Sequence, residues 1–268
     1  MTAKGAEPLL ACRDVNKHYG ALAAVSHFDL EVWPGDVVGI GGPNGAGKTT
    51  FLDVVSGISP ATSGEIVFDG EQISRLSPDQ ICHRGIARTF QLNAGFDSLS
   101  VRENVLIGAA FGSSEGVIPS LRFTKDMRER VDRALELCRL TDRGNQIVRD
   151  ISVLDRKLLM LAGAVATGPK LLLIDEPVGG LNPSEIDLVM EIVAGLLKAG
   201  MTVMLIEHVM RFLLQLSKRV VIMHHGEKIY EGDPEGLLND RRVVDVYLGE
   251  GTADRLRPLL GDRRQAHG

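Results

Sequence analysis

Apolar residues fall along this chain in two rhythms. Near the N-terminus, residues 9–15, 28–32, 37–40 and 65–68 form short β-like runs, parted by turns such as Trp33-Pro34-Gly35-Asp36, and such runs between Gly, Pro and Asp punctuation predict strands. From about 101 to 150 the spacing turns helical, in 101–110 and again in 125–139. In the second of these, Met127, Val131, Ala134, Leu135 and Cys138 share one side, with Lys125, Arg128, Arg130 and Arg133 around the rest; the charges read as a solvated face. A mostly helical insert, about 92–165, within a β/α chain accounts for both rhythms. The alternation returns afterwards with the wholly apolar stretch 171–174, which predicts a buried parallel strand, and with 202–206, which reads as a further buried strand. No internal repeat is visible.

Composition adds limits. The chain has 268 residues, 44% of them hydrophobic, enough for one large α/β domain or a main domain with a smaller insert. Thirty Lys and Arg against 35 Asp and Glu give a net charge of −5, which argues against a broad basic nucleic-acid surface. The cysteines, Cys12, Cys82 and Cys138, form no C-x-x-C pair and read as reduced core thiols. The longest apolar candidate for a span, 158–174, is broken by Gly168-Pro169-Lys170, and the N-terminus lacks a charged segment followed by an apolar h-region. A membrane role then comes through a partner.

The candidate chemistry sits where the strands end. Directly after the run 37–40 comes Gly42-Pro43-Asn44-Gly45-Ala46-Gly47-Lys48-Thr49-Thr50, a G-x-x-x-x-G-K-[ST] loop in its strand-loop-helix context. Its glycines turn backbone N–H groups toward phosphate oxygens, Lys48 carries charge to the β- and γ-phosphates, and Thr49 offers a hydroxyl to Mg²⁺. A helix starting near Gly47 adds the positive end of its dipole. The run 171–174 ends in Asp175-Glu176-Pro177. Beside a P-loop, Asp175 suits Mg²⁺ and Glu176 suits polarising a water for attack on the γ-phosphate; alone, the two acids could equally serve a helix N-terminus. ATP and Mg²⁺ are the implied cofactors.

The order GPNGAGKTT, ARTFQ (87–91), LLLIDEP (171–177), GGLNP (179–183) and LIEH (205–208) resembles the ATPase subunits of ABC transporters, over about residues 9–250. RGIARTFQ, DEPVGGLNPSE, IEHVM and the closing DVYLGE resemble more narrowly the LivG-type ATPases of branched-chain amino acid importers and their urea and amide relatives. The resemblance implies a single ABC ATPase domain over 1–250, with an α/β P-loop core, a mainly parallel sheet, an antiparallel β region and the helical insert. Residues 251–268, rich in Arg, Asp and Gly, are expected to fray. It also implies that Tyr19 stacks on adenine, Gln91 reaches Mg²⁺ and the water, and His208 touches the γ-phosphate. The implied partners are a second ATPase subunit paired head to tail, two membrane permeases and, indirectly, an external solute-binding protein, with no nucleic acid. The implied location is the cytoplasmic face of the cell membrane.

One segment departs from the family pattern. The glycine-containing signature, LSGGQ or a near form, that closes over the partner's ATP falls on Ile151-Ser152-Val153-Leu154-Asp155, which has no glycine. Val153 and Leu154 obstruct close backbone approach, Asp155 brings negative charge toward the γ-phosphate, and Ser152 with Asp155 fits a helix-capping pattern. An asymmetric heterodimer is one consequence; the other reading is a tolerated variant in which the Ser152 hydroxyl and helix dipole suffice. Two other ABC roles remain: a soluble assembly ATPase, such as an iron–sulfur scaffold, and a ribosome-associated protein, which the acidic charge and single cassette disfavour.

Overall fold

The computed structural model describes residues 7–90, 95–112 and 123–266. In chain order the strands are β1 (Leu10–Tyr19), β2 (Leu22–Val32), β3 (Val37–Gly41), β4 (Ser63–Phe68), β5 (Glu71–Gln72), β6 (Ile86–Arg88), β7 (Leu171–Asp175), β8 (Thr202–Ile206), β9 (Arg219–His224) and β10 (Glu227–Gly232). The helices are α1 (Lys48–Val55), α2 (Pro78–Arg84), α3 (Val101–Phe111), α4 (Lys125–Leu137), α5 (Val153–Ala166), α6 (Pro183–Lys198), α7 (Met210–Leu216), α8 (Pro234–Leu237), α9 (Arg241–Val243) and α10 (Glu250–Ala266). They fall into two compact units, residues 1–78 with 202–268, and residues 79–201.

The first unit carries two sheets. β2, β1, β4 and β5 pair antiparallel. In the other, β3 lies between β8 and β9, parallel to both, and β10 adds antiparallel to β9. Every residue of β3 and β8 is buried, as strands covered on both faces require. The parallel register runs Val37 beside Val203 to Ile40 beside Ile206, so both strands point their C-terminal ends the same way. That edge is where α/β folds bind ligands. Helix α1 is anchored there by Phe51, whose ring centroid is 4.4 Å from that of Phe28 on β2.

Where the Arg, Asp and Gly content of 251–268 leads one to expect a frayed tail, the backbone continues as α10. Leu256 and Leu260 pack on a cluster of Leu214, Val220, Ile222, Leu237 and Leu248. A low-propensity sequence with Pro258 inside it is helical because an apolar core lies ready to receive one of its faces; tertiary packing overrides propensity.

The second unit builds the helical insert and two strands. α3, α4 and α5 pack on one another through Val101, Val105, Ala109, Val131, Ala134, Leu135 and Leu158, all buried. The insert expected over 92–165 thus belongs to a larger body that also contains α2, β6, β7 and α6. β6 and β7 run parallel, Ile86 beside Leu171 and Arg88 beside Leu173. Ser100 caps α3 with a full capping box to Glu103, and Asn182 caps α6 with one to Glu185, so GLNP is a helix entrance as well as a motif.

Candidate active site

The first unit presents the loop from Gly42 to Thr50 between β3 and α1. Gly42, Gly45 and Gly47 have φ of 141°, 79° and 101°, conformations that side chains rarely adopt. A Cβ on Gly42 would lie 2.2 Å from the Met223 carbonyl oxygen, and one on Gly47 2.1 Å from that of Ala24; these two glycines are fixed by close backbone approach as well as by φ. No side chain caps α1 at Gly47. Lys48 is buried and its Nζ donates to the Gly42 and Pro43 carbonyls at 2.8 and 3.0 Å, which folds the ammonium over the loop it serves. Thr49 is exposed on the first turn.

Two further predicted residues share this unit. Tyr19, at the end of β1, is 49% exposed, its hydroxyl 3.2 Å from Ser59 Oγ and Lys17 Nζ over its ring at 4.8 Å from the centroid. His208 follows β8. Its neighbour Glu207 is wholly buried, and Glu207 Oε2 accepts from the backbone N–H groups of His208 and Val209 at 2.9 and 3.1 Å. The carboxylate thereby shapes the turn that turns the His208 ring outward, half exposed, with Nδ1 3.7 Å from the same oxygen. The sequence reading passed over Glu207; an acid closing an apolar strand, as at Asp175, was the available signal.

The second unit presents the carboxylates. Asp175 ends β7 with its side chain 1% exposed. Its backbone N–H reaches Thr89 Oγ1 at 3.2 Å, Arg88 donates to its Oδ2 at 2.8 Å, and its Oδ1 is buried with no hydrogen-bond partner among the described residues. A sequestered carboxylate oxygen is costly unless something completes its coordination. Mg²⁺, which takes oxygen ligands and keeps several waters, fits this carboxylate. No group of three or more His, Cys, Asp or Glu side chains that could hold a metal ion exists among the described residues. Glu176 follows at φ 45°, a left-handed strain that turns its side chain away from the strand direction. With Thr89, Phe90 and Lys157 it lines a cleft beside Asp175. Gln91 lies outside the described residues.

The segment 151–155 begins α5. Ser152 is the N-cap, its hydroxyl accepting from the Asp155 N–H at 3.0 Å. The reciprocal half of a capping box does not form; Asp155 instead meets Arg143 Nε at 3.5 Å. Asp is a methylene shorter than the Glu such boxes use, and Glu103 and Glu185 both complete theirs. Val153 stands 57% exposed at the mouth of this helix.

A parallel sheet with a P-loop at its C-terminal edge, an antiparallel β region, a helical insert and a buried strand leading into two acids together define an ATP-binding cassette. The chain belongs to the ABC transporter family, whose profile matches residues 25–179. It is 33% identical over 252 residues to the high-affinity branched-chain amino acid transport ATP-binding protein LivG of Escherichia coli, spanning 91% of this chain and 99% of that protein. It is 34% identical to a probable LivG of Archaeoglobus fulgidus, across 90% and 95% of the two chains. The Nod factor export ATP-binding protein I of Cupriavidus metallidurans is 38% identical over 256 residues, 94% of this chain and 79% of that one. Among solved structures, an ATP-binding cassette of an ABC transporter in its ADP conformation superposes with a TM-score of 0.80 at 30% identity, covering 91% of this chain and all of that one. The chain is thus a nucleotide-binding cassette.

Proposed function

We propose that this chain is the ATP-hydrolysing subunit that energises an importer of branched-chain amino acids or related small polar solutes. The observation that carries the reading is its similarity to LivG proteins over essentially their whole length, joined to the presence of Lys48, Asp175, Glu176 and His208 in the sequence. Backbone N–H groups of residues 44–50 and Lys48 Nζ hold the phosphates, and the half-exposed Tyr19 ring receives the adenine. Asp175 and the Thr49 hydroxyl would hold Mg²⁺, which would supply charge neutralisation at the phosphates. Gln91 would reach the same ion and the attacking water. Glu176 orients that water and takes its proton, while His208 steadies the γ-phosphate. In this reading residues 1–250 act as one cassette, with the helical segment 92–165 inserted in it.

No helix among the described residues is long and apolar enough to cross a membrane. In this reading the chain works with two separate permeases, docked on their cytoplasmic side. A second ATPase subunit would pair head to tail with it. Since the segment 151–155 has no glycine and its capping Ser152 already accepts from the helix N–H of Asp155, the ATP held by the partner would turn over slowly, and the ATP held here would carry most of the hydrolysis. Glu176→Gln in this chain should then remove most of the complex's ATPase activity, and the matching change in the partner much less; equal losses would contradict the asymmetry.

An exporter subunit is the second reading, favoured by the 38% identity to the Nod factor export protein. Gentle extraction of the tagged chain from native membranes, with mass spectrometry of what co-purifies, separates the readings. Two permeases with a second ATPase and a solute-binding protein encoded nearby support import. A single exporter-type membrane partner supports export, and soluble partners alone contradict both.

A further inference from the structure

The least expected pair in the second unit is Arg88 with Asp175. Arg88 closes β6 and sits beside Leu173 on the neighbouring strand β7, which carries Asp175 two residues on. Its guanidinium donates to Asp175 Oδ2 at 2.8 Å, with the two side chains 5% and 1% exposed. A buried pair of this kind contributes little net stability against apolar side chains of the same size, because two ions have been withdrawn from water. Its persistence in the core at the end of the strand that delivers the metal carboxylate calls for another reason. The geometry supplies one. One carboxylate oxygen is taken by Arg88 and the backbone N–H beside it by Thr89, while the other oxygen is buried with no partner among the described residues.

We propose that Arg88 is a positioning residue for the metal site: it clamps Asp175 through Oδ2 so that Oδ1 is held, already desolvated and correctly turned, for Mg²⁺. Partners that hydrogen-bond a ligating carboxylate set its orientation, and losing one typically weakens metal binding by 10–100-fold. An arginine suits the task because its guanidinium is rigid and stays charged when buried, so it holds Oδ2 in place, whereas the flexible ammonium of a lysine loses its charge more readily. Arg88 touches neither phosphate nor water in this account; it acts only through Asp175.

The inference rests on the nucleotide-site reading above, and its test separates the two. Mn²⁺ binding to the full chain is titrated with ADP present, reading free Mn²⁺ by electron paramagnetic resonance. A fluorescent ADP analogue in EDTA reads nucleotide binding without metal. Arg88→Met is expected to bind Mn²⁺ roughly 10–100-fold more weakly than wild type, Arg88→Lys by a smaller factor, and both to bind the analogue in EDTA as wild type does. Circular dichroism establishes that each variant is folded; should Arg88→Met not fold, Arg88→Lys decides. Mn²⁺ affinity within about twofold of wild type in a folded variant overturns the inference while leaving the site reading intact. Equal weakening of metal and metal-free nucleotide binding overturns it as well, since the change would then be a general loosening. Failure of both variants to fold overturns it by making the pair a scaffold contact. A wild-type chain that binds neither probe contradicts the site reading itself.

Discussion

Gly47 shows how one residue's freedom decides the site. At φ 101°, with the Ala24 carbonyl oxygen 2.1 Å from where a Cβ would stand, alanine is strained twice over, by its backbone conformation and by contact with an atom that cannot swing aside. Gly47→Ala should lower stability by about 1–3 kcal/mol and weaken nucleotide binding, read by chemical denaturation and by fluorescent ADP titration; unchanged binding would mean that the loop accommodates a methyl group. This position, Lys48, Asp175 and Glu176 were legible from residue type and spacing, because the chemistry admits few substitutes. Arg88, Glu207 and Arg143 were not. Each acts through a neighbour distant in sequence or through backbone N–H groups, and a single charged residue in a strand or loop looks the same whether it faces water or a buried acid. Two of the three cysteines follow the simple expectation of core thiols: burial pushes Cys12 and Cys138 up to about 12, leaving them protonated and unreactive, whereas Cys82 is only partly buried.

At the scale of elements, the signature helix and the C-terminal helix teach opposite lessons. The Ser152 cap of α5 was readable from the S-x-x-D spacing, and it forms; what spacing could not show is that Asp155 turns to Arg143 because its side chain is too short to close the box. Ser152→Ala should therefore destabilise the chain by about 1 kcal/mol, the ordinary value of a lost N-cap, measurable as a lower urea midpoint with unchanged slope. The strands β3, β7 and β8 appear within a residue of their apolar runs, since burial on both faces leaves a continuous signal. β1 and β2 extend well past theirs, because only one face of each is apolar there and both carry bulges. α10 was missed because its reason lies outside itself, in the cluster under Leu256 and Leu260. Truncation after Gly249 should uncover that cluster and cost on the order of 2 kcal/mol, seen as a lower melting temperature; an unchanged melting temperature would make α10 a passenger.

For the whole molecule, fold and family follow from the order of a few motifs, whereas solute and partners reside in other chains. The cassette holds nucleotide, and the account gives it the further work of driving a solute across a membrane. Glu176 separates these two activities, since its loss should leave nucleotide bound and stop its hydrolysis. The most direct measurement is uptake of radiolabelled leucine by proteoliposomes carrying the co-purified complex, with ATP enclosed and solute-binding protein outside, comparing wild type with Glu176→Gln. The account predicts ATP-dependent accumulation that falls to the ATP-free background in the variant, with nucleotide binding retained. Leucine accumulation unaffected by Glu176→Gln, in complexes shown to contain the variant chain, would contradict it.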